Sequence, residues 1–153
     1  METAKELEPT ERLYQSAFKS IGQNLAPGNE MLGCAISMCA VYNRAFPEKE
    51  PLRFVNTTQW YNHMKAHPEL FKPLLWPEPK CIRVNPTEHI PAGSPLKHGH
   101  IGIDGKFPSP DKTNYIMSND SNLGYWNTQF TRQKWTDYYV RHGKIPEYYF
   151  RVL

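Results

Sequence analysis

Apolar residues recur at helical spacing in three stretches of the N-terminal half of the chain, and each stretch is bounded by residues that start or stop helices. The first stretch has Thr10 as its predicted N-cap and Gly22 as its stop. Pro47 closes the second, and Thr57 or Thr58 caps the third. The predicted helices cover residues 9–22, residues 31 or 34 to 45, and residues 57–67.

Short β-type runs separated by polar, proline-rich connections occupy most of the C-terminal half. Ile101 and Ile103 lead into Asp104 and Gly105, a pair that favours a tight hairpin turn. A helix capped by Thr131 is predicted between the later strands. The predicted strands are KCIRVN (80–85), the run before Asp104, NYIMSND (114–120) and PEYYFRVL (146–153), and the helix covers 131–143 up to Gly143.

Helices come first and most strands afterwards, an order that predicts an α+β fold in which N-terminal helices pack on a small antiparallel sheet. With 153 residues, 39% of them hydrophobic and 13% aromatic, the chain is large and apolar enough for one globular domain. We therefore expect a single domain over 1–153, with a helix and loop in 1–29 and the core of the domain in 30–153.

The distribution of apolar and charged residues excludes several classes of protein. No run of about 18 apolar residues occurs, so we expect no membrane insertion. The N-terminus lacks the basic start and apolar stretch of a signal peptide, which predicts synthesis in the cytoplasm without a Sec signal. The net charge of +3 comes from scattered lysines and arginines, so a nucleic-acid-binding stripe is not expected.

Three cysteines without CxxC spacing fit neither a disulfide framework nor a zinc site. Cys34 follows Gly33 at the start of the second predicted helix, where unpaired N–H groups and the helix dipole favour a thiolate. The amide of Cys34 is also placed to stabilise an oxyanion. Cys39 lies deeper in the same helix and Cys81 in a predicted strand, so both are interpreted as structural.

A catalytic thiol needs a histidine base and a polar group that holds the base. HGH at 98–100 stands at the head of one predicted strand, and SND at 118–120 ends the next. If these strands pair antiparallel, His100 lies beside Asn119 or Asp120. Considered separately, Cys34 also fits a buried structural thiol, and the HGH and SND segments also fit ordinary turns. A metal site formed by His89, His98 and His100 is the weaker alternative, because no carboxylate or thiol lies at ligand spacing.

The segments LGCAISM, HGHIGI and YIMSNDSNLGYW, followed by the aromatic C-terminal ending, resemble NlpC-type and CHAP peptidoglycan hydrolases, particularly a phage- and prophage-associated branch. These are small papain-like cysteine amidohydrolases and peptidases. The resemblance covers about residues 30–153 and implies a papain-like fold. The DCSGF motif of NlpC-type enzymes is replaced here by GCAIS.

The resemblance implies that Cys34 is the nucleophile, that His100 is the general base, and that a polar residue near Asn119 is the third member of the triad. Strand alternation puts Met117 and Asn119 on one face, and Met117 suits the core, which favours Asn119. Asp120 and Ser118 remain alternatives. The candidate substrate-binding residues are Gly33, His98 and Trp126.

The expected activity is therefore hydrolysis of a peptidoglycan amide bond, by an amidase or endopeptidase resembling an endolysin, through a thioester and without a metal or other cofactor. A monomer is expected, acting on the cell wall after phage- or secretion-mediated release, or as part of a virion. One alternative is a non-catalytic virion structural or binding protein, in which Cys34 is unreactive and His98 and His100 point away from it. Another is a cysteine peptidase or acyltransferase with a non-wall substrate.

Overall fold

Three helices precede the sheet along the chain, as the apolar spacing predicts. The structure is a computed structural model that describes residues 8–29, 33–106 and 115–153. The alternative start of the second helix at residue 31 lies outside these residues. The helices are α1 (Pro9–Lys19), α2 (Cys34–Ala45) and α3 (Thr57–Ala66).

The ends of these helices differ in detail from the prediction. Helix α3 is capped by Asn56, whose side chain accepts the backbone N–H of Gln59 while the Gln59 side chain accepts the N–H of Asn56. This reciprocal pair is a capping box, so Thr57 and Thr58 lie inside the helix rather than at its cap. Thr10 likewise lies inside α1.

Within the described residues, six antiparallel strands form one sheet, and with the helices they confirm the predicted α+β class. Two strands were missed, because the first carries Pro73 at a sheet edge and the fifth has the polar run Asn127-Thr128-Gln129 between its aromatic residues. The strands are β1 (Phe71–Leu74), β2 (Ile82–Asn85), β3 (His100–Ile103), β4 (Ile116–Asp120), β5 (Tyr125–Phe130) and β6 (Tyr148–Val152), in the spatial order β1-β6-β2-β3-β4-β5.

The predicted C-terminal helix forms, but it changes type along its length. Thr131 caps it as predicted, since its side chain accepts the N–H of Lys134. The first turn, α4 (Arg132–Trp135), continues as a π-helix over Thr136–His142. Widened π turns are uncommon and often occur at functional sites.

The two faces of the sheet differ in chemistry. One face packs apolar side chains such as Ile101, Ile103 and Met117 against α1, α2 and α3, and these form the main core. The opposite face, here called the polar face, carries a smaller apolar cluster around Trp135 and Tyr139. Buried polar side chains also lie on it: Arg83, Asn85, His100, Ser118 and Asp120.

The tight hairpin turn predicted at Asp104-Gly105 is wrong, because Ile103 pairs with Met117 and β4 begins only at Ile116. Asp104 is instead a buried ion-pair residue. Its carboxylate is completely buried and binds the guanidinium groups of Arg83 and Arg132. Residues 107–114, in the connection between β3 and β4, lie outside the described residues. No helix in the described ranges has the length and apolar character needed to cross a bilayer.

Candidate active site

A cavity of about 700 Å³ opens where the N-terminus of α2 meets the ends of β3 and β4. It brings together four of the sequence-predicted site residues: Cys34, His98, His100 and Asn119. The rest of its wall is mainly polar and aromatic and includes Asn56, Thr57, Gln129, Phe130, Tyr138 and Tyr139. The cavity is therefore lined by a thiol, two imidazoles and several hydrogen-bonding side chains.

Strands β3 and β4 pair antiparallel, which confirms the arrangement that the sequence argument assumed. Gly102 lies opposite Ser118, and Ile103 lies opposite Met117. Continued by two residues, this register puts Asp120 opposite His100. Because cross-strand partners share a face of the sheet, Asp120 is on the same side as His100.

Asn119 lies on the other face, towards α2. Its Oδ1 accepts a hydrogen bond from Ser37 Oγ at 3.2 Å. A Cβ built on Gly33 would stand 3.6 Å from Asn119 Nδ2, so this amide lies beside the start of α2. The alternation of Met117 and Asn119 was predicted correctly, but it did not reveal which face the His100 ring occupies.

Asp120 interacts with the His100 ring through charge rather than through a hydrogen bond. One carboxylate oxygen accepts the backbone N–H groups of Asn122 and Leu123 at 3.0 and 3.1 Å, which fixes the turn after β4. The negative charge also favours the protonated form of His100. Ser118, the remaining alternative, lies opposite Gly102, and its buried hydroxyl has no hydrogen-bond partner among the described residues.

The Cys34 thiol is neutral at pH 7 in this structure. Burial raises the pKa of Cys34 to about 11, although the backbone N–H groups of Ala35 and of Cys34 itself favour the thiolate. The helix N-terminus thus acts in the expected direction, but the cost of removing the anion from water is larger. A preformed thiolate, the state that the sequence argument favoured, is not the resting state.

His100 is also uncharged near neutral pH. Burial lowers the pKa of its imidazole to about 4, and the charge of Asp120 opposes this shift only in part. Its Nε2 is buried and has no hydrogen-bond partner among the described residues. No hydrogen bond between Cys34 and His100 is present in the described part of the chain, so the resting site holds a neutral thiol and a neutral imidazole in one cavity.

The raised pKa of Cys34 predicts a specific pH dependence of alkylation. Because the thiolate is the reacting species, we expect the rate at Cys34 to rise about tenfold per pH unit from about pH 7 to 9.5 without levelling off. Iodoacetamide labelling followed by peptide mapping measures this rate separately from Cys39 and Cys81, which are buried. A plateau below pH 8 would contradict the neutral resting thiol.

Two of the three candidate substrate-binding residues lie outside the cavity wall. Trp126 is completely buried in the main core, where its indole N–H donates to the Ala17 carbonyl at 3.0 Å, so it offers no surface to a substrate. Gly33 is needed for packing, because a Cβ there would come within 2.6 Å of Ala26 Cβ and 2.7 Å of the Asn29 carbonyl.

The remaining cysteines and the third histidine have local partners. Cys39 Sγ accepts the N–H of Phe54 at 3.2 Å, and Cys81 is 1% exposed. His89 Nδ1 lies 3.0 Å from the Tyr148 hydroxyl. Among residues 8–29, 33–106 and 115–153, no group of three His, Cys, Asp or Glu side chains is arranged to hold a metal ion.

Sequence reasoning missed the residues that surround the His100 ring. Trp135 and Tyr139 contact it with ring centroids 4.9 and 5.5 Å away, and Phe130 lies at 6.1 Å. The only sequence signal was their aromatic character, which does not separate a core residue from one that lines a groove. Asn85, opposite His100 on β2, was not singled out.

Gly99 explains why the histidines of HGH are separated by glycine. A Cβ at this position would overlap the backbone carbonyl of Asn85, and the Gly99 N–H donates to Thr87 Oγ1 at 3.0 Å. The chain can therefore approach β2 closely only with glycine, and this approach sets where His100 enters the sheet.

Comparison with known proteins leaves the chain without a demonstrated family. No family model matches it, and no curated protein and no solved structure is significantly similar to it.

Proposed function

We propose that this chain is a cysteine hydrolase that cleaves an amide bond in bacterial peptidoglycan. The observation that carries the proposal is the single cavity lined by the Cys34 thiol, at the start of a helix, and by the His100 imidazole, at the start of a strand. The cell-wall substrate and a papain-like relationship rest on the resemblance of the ordered sequence motifs to NlpC-type and CHAP enzymes.

Acylation begins from the neutral pair. As Cys34 Sγ attacks the scissile carbonyl carbon, its proton passes to the unprotonated nitrogen of the neutral His100 ring, and a C–S bond forms. The oxyanion is stabilised by backbone N–H groups at the start of α2, including that of Cys34. The imidazolium then gives its proton to the departing amine as the C–N bond breaks, which leaves a thioester on Cys34.

Deacylation uses the same base. His100 accepts a proton from a water molecule that attacks the thioester carbonyl, and the collapse of this intermediate releases the carboxylic acid and restores the Cys34 thiol. A transient imidazolium forms in both halves of the reaction. Asp120 is the carboxylate whose charge favours that imidazolium, so we assign it the electrostatic role of the third residue.

The role assigned to Asp120 predicts that its replacement shifts the acid limb of the pH profile of kcat/KM. With wild type we expect kcat/KM to fall on acidification only near pH 4, the pKa of His100. Asp120→Asn keeps an oxygen for the turn but removes the charge, so the limb should move to lower pH and kcat should fall about tenfold. Asn119→Ser should leave the limb in place.

The outcome that would contradict this assignment is the reverse pattern, in which Asn119→Ser moves the limb and Asp120→Asn does not. Asp137→Asn is the matched control, because it removes a carboxylate that is paired with Arg141 on the surface. It should change neither the limb nor kcat.

Purified sacculi provide the test of the substrate. Wild-type protein should lower the turbidity of a sacculus suspension and release new amino groups, with the bond identified by mass spectrometry of the soluble fragments. No release from sacculi of several peptidoglycan chemotypes, together with turnover of an unrelated peptide or acyl donor, would refute the wall substrate and favour the peptidase or acyltransferase alternative. Binding to sacculi without any turnover would favour the non-catalytic alternative.

A further inference from the structure

The His100 ring is packed among aromatic side chains from the C-terminal helix and from the last residue of β5. The Trp135 ring lies 4.9 Å away at 32°, and the Tyr139 ring is stacked at 5.5 Å and 21°. Phe130 approaches edge-on at 6.1 Å. These contacts restrict the plane of the imidazole, because tilting the ring would bring it into one of its neighbours.

Among the described residues, no side chain of the neighbouring strand fixes the orientation of the His100 ring by a hydrogen bond. His100 is 7% exposed as a residue, and its Nε2 is buried without a hydrogen-bond partner among the described residues. Asn119 Oδ1 accepts from Ser37, and Asp120 Oδ1 accepts two backbone N–H groups of its own turn. The orientation of the ring therefore depends on packing.

Trp135 is itself fixed by a buried hydrogen bond from the strand beside His100. Its indole N–H donates to Asn85 Oδ1 at 2.7 Å, and both side chains are completely buried. Asn85 is the cross-strand partner of His100, and its Nδ2 donates to the carbonyls of Ile145 and Pro146 at 3.3 Å. The strand that pairs with His100 thus also anchors the ring that packs on it.

We propose that Trp135, anchored by Asn85, is a positioning residue for His100 and replaces the hydrogen-bonded third group that usually orients a catalytic histidine. This role rests on the proposed function, since it matters only if His100 moves a proton. Proton transfer between Cys34 and His100 requires a fixed ring orientation, and a displacement of about 1 Å can cost about 100-fold in rate. The π turn of the C-terminal helix carries Tyr139 onto the same ring, so one element supplies both contacts.

The test compares two tryptophans with matched chemistry. Trp135→Phe removes the hydrogen bond to Asn85, and Trp126→Phe removes the equally buried hydrogen bond to Ala17 in the main core. We expect Trp135→Phe to lower kcat about 10- to 100-fold with little change in KM, and Trp126→Phe to leave kcat within about twofold. Equal losses of kcat in the two variants would overturn the proposal.

A second readout does not require turnover. In Cys34→Ala protein at pH 7, the ring ¹⁵N and ¹H resonances of His100 should shift or broaden when Asn85→Ala is added, and they should not respond to Trp126→Phe. Asn85→Ala removes the acceptor of the Trp135 hydrogen bond but keeps every aromatic ring beside His100, so loss of a ring current does not account for the change. Asn85→Ser is the second variant if Asn85→Ala fails to fold. Unchanged His100 resonances would refute positioning, whereas shifted resonances without hydrolysis in wild type would refute the proposed function alone.

Discussion

Replacement of Cys34 by alanine should abolish amide hydrolysis while the fold is retained. The side chain supplies the only proposed nucleophile, and loss of the nucleophile in such a mechanism typically costs at least about 10⁴-fold in kcat. Cys34 is partly buried at the start of α2 and packs at the edge of the main core, so its truncation removes one sulfur atom from that packing. Release of amino groups from sacculi measures the loss, and thermal unfolding checks the fold.

Cys39→Ala is the matched control for this experiment. The same change is made five residues further along the same helix, where the thiol contacts the backbone of Phe54 rather than the cavity. It should lower stability and leave kcat within a few-fold of wild type. Hydrolysis by Cys34→Ala at more than about a tenth of the wild-type rate would contradict nucleophilic catalysis by this residue.

The second large effect is expected on stability, from Asp104→Ala. The carboxylate is completely buried and binds Arg83 through two hydrogen bonds of 2.9 Å and Arg132 through one of 2.8 Å. Its removal leaves the 1%-exposed Arg83 with Glu147 as its remaining anionic partner. Breaking a buried ion pair in this way costs about 3–5 kcal/mol in the free energy of unfolding.

Urea unfolding followed by tryptophan fluorescence measures this loss. Asp137→Ala breaks an exposed ion pair with Arg141 on the π-helix and should change the free energy of unfolding by less than about 0.5 kcal/mol. Similar changes in the two variants would contradict a stabilising role for the buried cluster. The cluster matters for the site because Arg83 and Asn85 belong to the same short strand, beside β3.

The helices and the pairing of β3 with β4 could be predicted from the sequence because local signals determine them. Apolar spacing identified α1, α2 and α3, and Thr131 marked the start of the C-terminal helix. The strand pairing brings the start of β3 beside the end of β4. Cys34, His98, His100 and Asn119 line one cavity there, although His100 and Asn119 lie on opposite faces of the sheet.

The face on which His100 lies could not be read from the same pattern. Strand alternation gives relative faces only, and the absolute face depends on which layer covers the sheet. A second layer formed by α4 and the π-helix covers the polar face, so His100 packs on Trp135 and Tyr139 rather than beside Asn119. Burial likewise explains why the expected thiolate at Cys34 is replaced by a neutral thiol. Tyr139 of this layer lines the same cavity as Cys34.

Trp126 and Asp104 show why side-chain roles were harder to predict than elements. Trp126 lies in YIMSNDSNLGYW, one of the segments that carry the resemblance, but its side chain points into the main core. There its indole N–H donates a hydrogen bond to the Ala17 carbonyl of α1. Asp104 precedes glycine, as turn residues often do, yet its two arginine partners are 21 and 28 residues away in sequence. Long-range partners of this kind leave no local signature.

Intact-protein mass spectrometry of a quenched reaction tests the central claim most directly. Wild-type protein mixed with soluble peptidoglycan fragments and quenched in acid should carry an acyl adduct, released by hydroxylamine and mapped to Cys34. Cys34→Ala should carry none. Hydrolysis that proceeds in wild type without any adduct, and that persists in Cys34→Ala, would contradict the cysteine hydrolase mechanism.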